Sequence, residues 1–149
     1  MHSVPRVLVV EDDDAIRALL LTALTREPLA VDAAEDGDVA LALTAQRTYE
    51  VIILDLMLPR VHGLEFLEAF RKTATNEPVV LVVSAFDDLA FDRIPAEWVH
   101  AIVRKPFDLL YLVTIVREVA LAAQGIRQQE VLAEEGAAVV PAARQVSIC

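Results

Sequence analysis

Val51-Ile52-Ile53-Leu54-Asp55 reads as a short strand with an acid at its tip. The apolar residues run continuously instead of alternating, and three of them are β-branched. Such runs suit strands buried on both faces, the situation of a parallel sheet. Asp55, coming directly after them, has little structural reason to be there, and is a candidate for chemistry.

The same pattern recurs on either side. Arg6 to Val10 is a continuous apolar run halted by Glu11-Asp12-Asp13-Asp14, and Val79 to Val83 is another, ending at Ser84. Ala101-Ile102-Val103 is a brief strand ending at Arg104-Lys105-Pro106, and Leu29 to Ala33 is a shorter, less distinct one. Between these lie stretches with helical spacing. Ile16, Leu19, Leu20, Ala23 and Leu24 form the first stripe, with Asp13 or Asp14 as its cap and Pro28 closing it. Asp36 opens a second helix, with Val39, Ala40, Ala42 and Leu43 apolar, ending near Arg47. A third follows Gly63 with Leu64, Leu67 and Phe70 inward, and Asn76-Glu77-Pro78 breaks the chain. From Phe86 to Glu97 the pattern is weak and Pro95 interrupts it, so any helix there is short.

A long last helix runs from about Phe107 to Gln124, and Gly125 ends its periodic part. Residues 1–124 therefore form one domain, and 125–149 a helical extension to about Glu135 followed by a mobile tail. Five strands alternating with about five helices imply an α/β fold with a doubly wound parallel sheet.

At 149 residues and 56% hydrophobic, the chain supplies a core easily. Chains of this size remove about two-thirds of their unfolded surface from water. A formal charge of −10 opposes direct nucleic-acid binding, which needs basic surface, and docking on anionic lipid. The single cysteine, Cys149, cannot make an internal disulfide, which fits a reducing, cytoplasmic setting. The N-terminus lacks the pattern of a secretory signal. The apolar stretch Leu109 to Ala123 carries Arg117 and Glu118 and is shorter than the ~20 residues a membrane span needs. His2, His62 and His100 lack metal-ligand spacing and are read as incidental, and Trp98 as a packing residue.

The polar outliers share one property. The first strand ends in Glu11-Asp12, the third in Asp55, the fourth in Ser84 and the fifth at Lys105. Ligands of open parallel sheets bind outside the carboxyl ends of the strands, so these residues converge. Up to three carboxylates together repel unless a cation neutralises them, and Mg²⁺ is a hard ion held by one or two carboxylates plus phosphate oxygens. Lys105 offers a compact positive charge to a phosphoryl oxygen and Ser84 a hydroxyl to another. A carboxylate can itself attack phosphorus, giving an aspartyl phosphate. Taken singly, each residue has a bland reading. Asp13 and Asp14 are read as helix caps, Ser84 alone is weak, and Lys105 alone is a surface lysine. The set as a whole describes phosphoryl transfer by positioning and charge neutralisation.

Val-Leu-Val-Val-Glu-Asp-Asp at 7–13, Leu-Asp-Leu-Met-Leu-Pro at 54–59 with Gly63, Ser-Ala at 84–85 and Lys-Pro-Phe at 105–107 resemble the receiver domain of two-component response regulators. The resemblance spans about residues 5 to 123. It implies the flavodoxin-like sheet with strand order 2-1-3-4-5. It further implies Asp55 as phosphoacceptor, Asp12 as direct Mg²⁺ ligand, Glu11 as the acid acting through water, and Met57 as the residue offering a backbone carbonyl to the metal. Ser84 matches the switch hydroxyl, Ala85 the small neighbour, and Lys105 the phosphate-binding lysine, joined to Pro106 by a cis bond. The donor would be a phosphohistidine on a sensor histidine kinase or phosphotransfer protein, and the output a changed surface for a downstream protein partner.

Two departures stand out. Ile102 occupies the place where family members carry an aromatic switch residue, and the 86–100 segment lacks a regular helical pattern. Met57 and Phe86 are apolar where polar groups often help place water, so a slowly hydrolysing phosphoryl group is expected. The last helix is apolar nearly all round, which suits either further burial by the tail or a partner face or homodimer. The stretch after Gln124 is too short to fold a DNA-binding domain, so direct gene control by this chain is not expected. The alternative is a phosphorylation-independent interaction module of the same fold. A phosphatase using Asp55 would want a second acid two residues on, where Met57 stands.

Overall fold

The computed structural model of the chain describes residues 3–85 and 92–134. In chain order the elements are β1 (Arg6–Val10), α1 (Asp14–Thr25), β2 (Ala30–Ala34), α2 (Gly37–Gln46), β3 (Val51–Leu54), α3 (Gly63–Thr73), β4 (Val79–Ser84), β5 (Ala101–Arg104) and α4 (Leu109–Glu134). All strand pairs are parallel, in the order β2-β1-β3-β4-β5. This is the flavodoxin-like arrangement expected from the resemblance.

The continuous apolar runs are explained by the two layers they face. Val7, Val9, Val51, Ile53, Leu81 and Val83 pack on one side with Leu20 and Leu24 of α1 and Leu112, Val116 and Ala120 of α4. Their neighbours Leu8, Val10, Ile52, Leu54, Val80 and Val82 pack on the other with Ala40 of α2 and Phe66, Leu67 and Phe70 of α3. Successive strand residues point to opposite faces, so a sheet covered twice needs apolar residues at every position. Fully burying such a side chain contributes about 1.5–3 kcal/mol.

Helix starts follow the expected capping. The Asp13 carboxylate accepts from the Ile16 N–H at 2.9 Å, and that of Asp36 accepts from the Val39 N–H at 2.8 Å. His62 caps α3, its Nδ1 accepting from the Leu64 N–H at 3.1 Å, and His100 Nδ1 accepts from the Val80 N–H at 3.1 Å. Both therefore have structural work that spacing does not reveal, and burial pushes the His100 pKa down. His2 lies outside the described residues.

Some details differ from the sequence reading. Leu19 and Ala42 point outward, because helical periodicity marks a stripe without saying how wide the covered part is. Strand β2 begins at Ala30, one residue late, since Leu29 is held in the turn by its N–H to the Glu27 carbonyl at 2.7 Å. Helix α4 does run on through Gly125 to Glu134, matching the helical extension expected to about Glu135. A single glycine costs a helix only about 1 kcal/mol relative to alanine, too little to break one already docked on a sheet. The tail beyond Glu134, expected to be mobile, lies outside the described residues, as does Phe86.

Helix α4 contains an 18-residue segment, Leu109–Ile126, long and apolar enough by composition to cross a membrane. Here one side of it, including Leu112, Val116 and Val119, is buried on the sheet. Between β4 and β5 the described residues hold no α-helix, and Ala96–Trp98 form a single 3-10 turn. Trp98 packs beneath the Arg71 guanidinium, which lies 4.9 Å from the ring centroid.

Candidate phosphoryl and metal site

The backbone ladder continues one step past the strand tips and sets each polar residue in place. Glu11 N–H donates to the Ala34 carbonyl at 3.0 Å, Asp55 N–H to the Val10 carbonyl at 3.0 Å, and Lys105 N–H to the Ser84 carbonyl at 2.8 Å. Side chains from β1, β3 and β5 that are far apart in the chain thus emerge on one edge of the sheet.

Carboxylate oxygens of Glu11, Asp12 and Asp55 lie within 4.8 Å of one another. Glu11 and Asp55 are buried and Asp12 is exposed, so the cluster opens to solvent through Asp12. The Lys105 ammonium donates to Glu11 Oε1 at 2.6 Å and to Asp55 Oδ2 at 3.0 Å. The other Asp55 oxygen, Oδ1, accepts from the Met57 N–H at 3.0 Å, while the Met57 side chain is exposed. Ser84 is fully buried at the tip of β4, two residues past the Leu54–Val82 pair in the register. Ala85 beside it is exposed. The Lys105–Pro106 bond is cis.

Burial and charge crowding together shift proton affinity at the site. Burial, reinforced by the hydrogen bond shared with Asp55, pushes the Glu11 carboxyl from 4.5 up to about 7, against the opposing pull of Lys105. Burial works against the charged form of Lys105, but its bonds to Glu11 and Asp55 outweigh that and raise its pKa. Three hard oxygen donors, one of them reluctant to ionise unaided, fit a divalent cation such as Mg²⁺.

Two arginines that the sequence reading passed over brace the loops. Arg17 Nη1 donates to the carbonyls of Glu11 at 3.0 Å and Asp12 at 3.3 Å, and Nη2 pairs with Asp14 at 2.6 Å. Arg60, in the loop after β3, pairs with Asp36 at the start of α2. The Arg17–Asp14 pair sits at i,i+3 spacing within α1, but the Arg17 bonds to backbone and the Arg60 bond to a residue of another element leave no spacing signal. The sequence marks Gly63 only as part of a motif. A Cβ there would meet Leu56 Cα at 2.7 Å and the Asp55 carbonyl at 2.8 Å, so the loop closes against the strand end only with glycine.

Residues 7–117 match the family model described as the response regulator receiver domain. The chain is 38% identical over 85 residues to the transcriptional regulatory protein AfsQ1 of Streptomyces coelicolor, an alignment covering 57% of this chain and 37% of that protein. It spans about a third of the length of the first curated relatives it matches. Among solved structures, the Francisella response regulator 1452 receiver domain superimposes with a TM-score of 0.68 at 28% identity, covering 78% of this chain and 97% of that one. TrrA of Thermotoga maritima, solved with Mg²⁺ and beryllofluoride, superimposes with a TM-score of 0.66 at 29% identity, covering 77% of this chain and 98% of that one. With strand order, acidic tips and family match in agreement, this chain belongs to the response regulator receiver family of two-component signalling.

Proposed function

We propose that Asp55 accepts a phosphoryl group from a phosphohistidine on a sensor histidine kinase or phosphotransfer protein, that the transfer requires Mg²⁺, and that it alters a surface read by a downstream protein. The observation that carries this reading is the Lys105 ammonium bonded to both Glu11 and Asp55 beside three clustered carboxylates. Glu11, Asp12 and Asp55, with the Met57 carbonyl, would hold Mg²⁺, which when bound neutralises charge on the phosphoryl oxygens. An Asp55 oxygen forms the bond to phosphorus as the P–N bond breaks, and its electron pair leaves on the imidazole nitrogen. Lys105 then exchanges its contact with Asp55 for a phosphoryl oxygen, and Ser84 donates to another. Residues 1–124 act as the receiver and 125–149 as an appendage, working in the cytoplasm without contacting nucleic acid or membrane.

Incubation with Mg²⁺ and acetyl phosphate, followed by intact-mass measurement, tests the proposal. Wild type should gain one phosphoryl mass, and Asp55→Asn or a chelator should abolish the gain. No gain in wild type favours the second reading, a phosphorylation-independent interaction module. That reading draws support from Ile102, which is 48% exposed, and from the weak, Pro95-interrupted helical pattern of residues 86–97. The same two features motivate an output that differs from the usual form. Comparing residues 84–104 in free and beryllofluoride-bound crystals decides this, since an ordinary inward shift of a regular helix contradicts it. Leu110, Tyr111 and Leu121 are exposed on α4 and offer a homodimer face, which a strictly monomeric mass in light scattering at high concentration would eliminate.

A further inference from the structure

We infer that Asp36 and Arg60 form a clasp that positions Asp55, holding the loop between β3 and α3 in the shape that sets the Met57 N–H on the Asp55 carboxylate. The role in phosphoryl transfer rests on the function proposed above; the clasp itself rests on geometry.

Arg60 has a φ of 64°, in the left-handed region. A residue with a Cβ takes that conformation at a steric cost, and glycine at none. An arginine there has to bring something with its side chain, and it brings the ion pair to Asp36. The Arg60 side chain is 71% exposed, but that of Asp36 is only 6% exposed, so a surface loop is tied to a buried acid. Asp36 is itself immobilised, because its other oxygen caps α2 through the Val39 N–H.

Neighbouring contacts make the same connection. A Cβ on Gly37 would meet Val61 Cγ1 at 2.8 Å, so the loop lies directly on the first turn of α2. At its far end the Gly63 N–H donates to the Leu56 carbonyl at 2.9 Å, folding the loop back onto the strand. Met57 lies between these fastenings, with its N–H on Asp55 Oδ1. Without Arg60 the Asp36 carboxylate still accepts from the Val39 N–H, and glycine relieves the left-handed backbone at position 60, so removing the pair loosens the loop more than the fold.

Arg60→Gly removes the side chain and leaves the backbone unstrained, while Asp36→Asn keeps an acceptor for Val39 and removes the charge. Both variants should melt close to wild type, yet take up phosphoryl from acetyl phosphate at fixed Mg²⁺ roughly tenfold more slowly, the lower end for groups supporting a metal site. Arg60→Lys should recover most of the rate, since an ammonium still pairs with Asp36. The double variant Arg60→Gly/Asp36→Asn should be no slower than either single one, because both remove one interaction. Wild-type uptake by Arg60→Gly overturns the inference. Amide hydrogen exchange separates it from the functional reading. Faster exchange at Met57 in both variants, with no phosphoryl gain by wild type, supports the clasp and sinks the phosphoacceptor reading. Unchanged exchange in both, with wild type phosphorylated, does the reverse.

Discussion

Lys105 Nζ sits 2.6 Å from Glu11 Oε1, although 94 residues separate the two along the chain. The contact joins the tips of β5 and β1 past the intervening ends of β4 and β3, and places the ammonium where the negative charge of the site is most crowded. Each partner alters the other's proton affinity, which makes the pair testable in solution.

Glu11 should make stability fall with rising pH. Its carboxyl moves from 4.5 in the unfolded chain to about 7 when folded. Between those values the folded state binds more protons, so raising the pH costs stability until about pH 7 and no further. His100, pushed below its usual 6.5 by burial, acts in the opposite sense over part of this range. Asp36, held low first by the Val39 N–H and then by Arg60, acts only below its ordinary 3.8. The expectation is therefore a difference: urea midpoints of wild type should decline relative to Glu11→Gln from pH 5 to 7.5 without Mg²⁺. Millimolar Mg²⁺ should remove the decline, since a bound cation takes the proton's place. A wild-type midpoint rising relative to Glu11→Gln would contradict this.

Replacing Lys105 with methionine leaves two buried carboxylates without their cation. Stability at pH 7.5 in chelator should drop by about 1–3 kcal/mol, the scale of a lost hydrogen bond to a charged group. The drop should shrink at pH 5, where Glu11 is protonated. Phosphoryl uptake should slow roughly 10²-fold, as when one oxyanion donor is removed. Chemical denaturation and time-resolved intact mass measure the two effects.

Gly63→Ala forces a methyl group against backbone, with Leu56 Cα at 2.7 Å and the Asp55 carbonyl at 2.8 Å. Neither atom can rotate away, so the strand end must shift, at about 1–3 kcal/mol by analogy with overpacked cores. Thermal unfolding should show the loss, and phosphoryl uptake should fall with it because the displaced residue is Asp55. A variant as stable as wild type means that the loop has another way to close.

The exposed Met57 side chain begins two residues after Asp55 and offers water no hydrogen bond. Radiolabelled phosphoprotein should therefore lose label slowly, and Met57→Asn should speed the loss on the order of tenfold, below the 10²-fold of a well-placed base. Rapid loss from the wild type with no phosphatase present contradicts the expectation.

Much of this protein is written locally. Continuous apolar runs at 7–10, 51–54 and 79–83 demand a sheet covered on both faces, and Asp13 and Asp36 mark helix starts because a short acid beside free N–H groups needs no distant partner. The acids and the lysine at strand ends were legible for the same reason, since parallel strands all deliver their carboxyl ends to one edge. What the chain alone leaves open is which of those groups touch. Lys105 on Glu11, Arg60 on Asp36, the methyl-free fit of Gly63 and the outward turn of Leu19 depend on how elements dock. Periodicity reports the faces of one element, whereas each of these contacts belongs to two elements whose separation is set by packing.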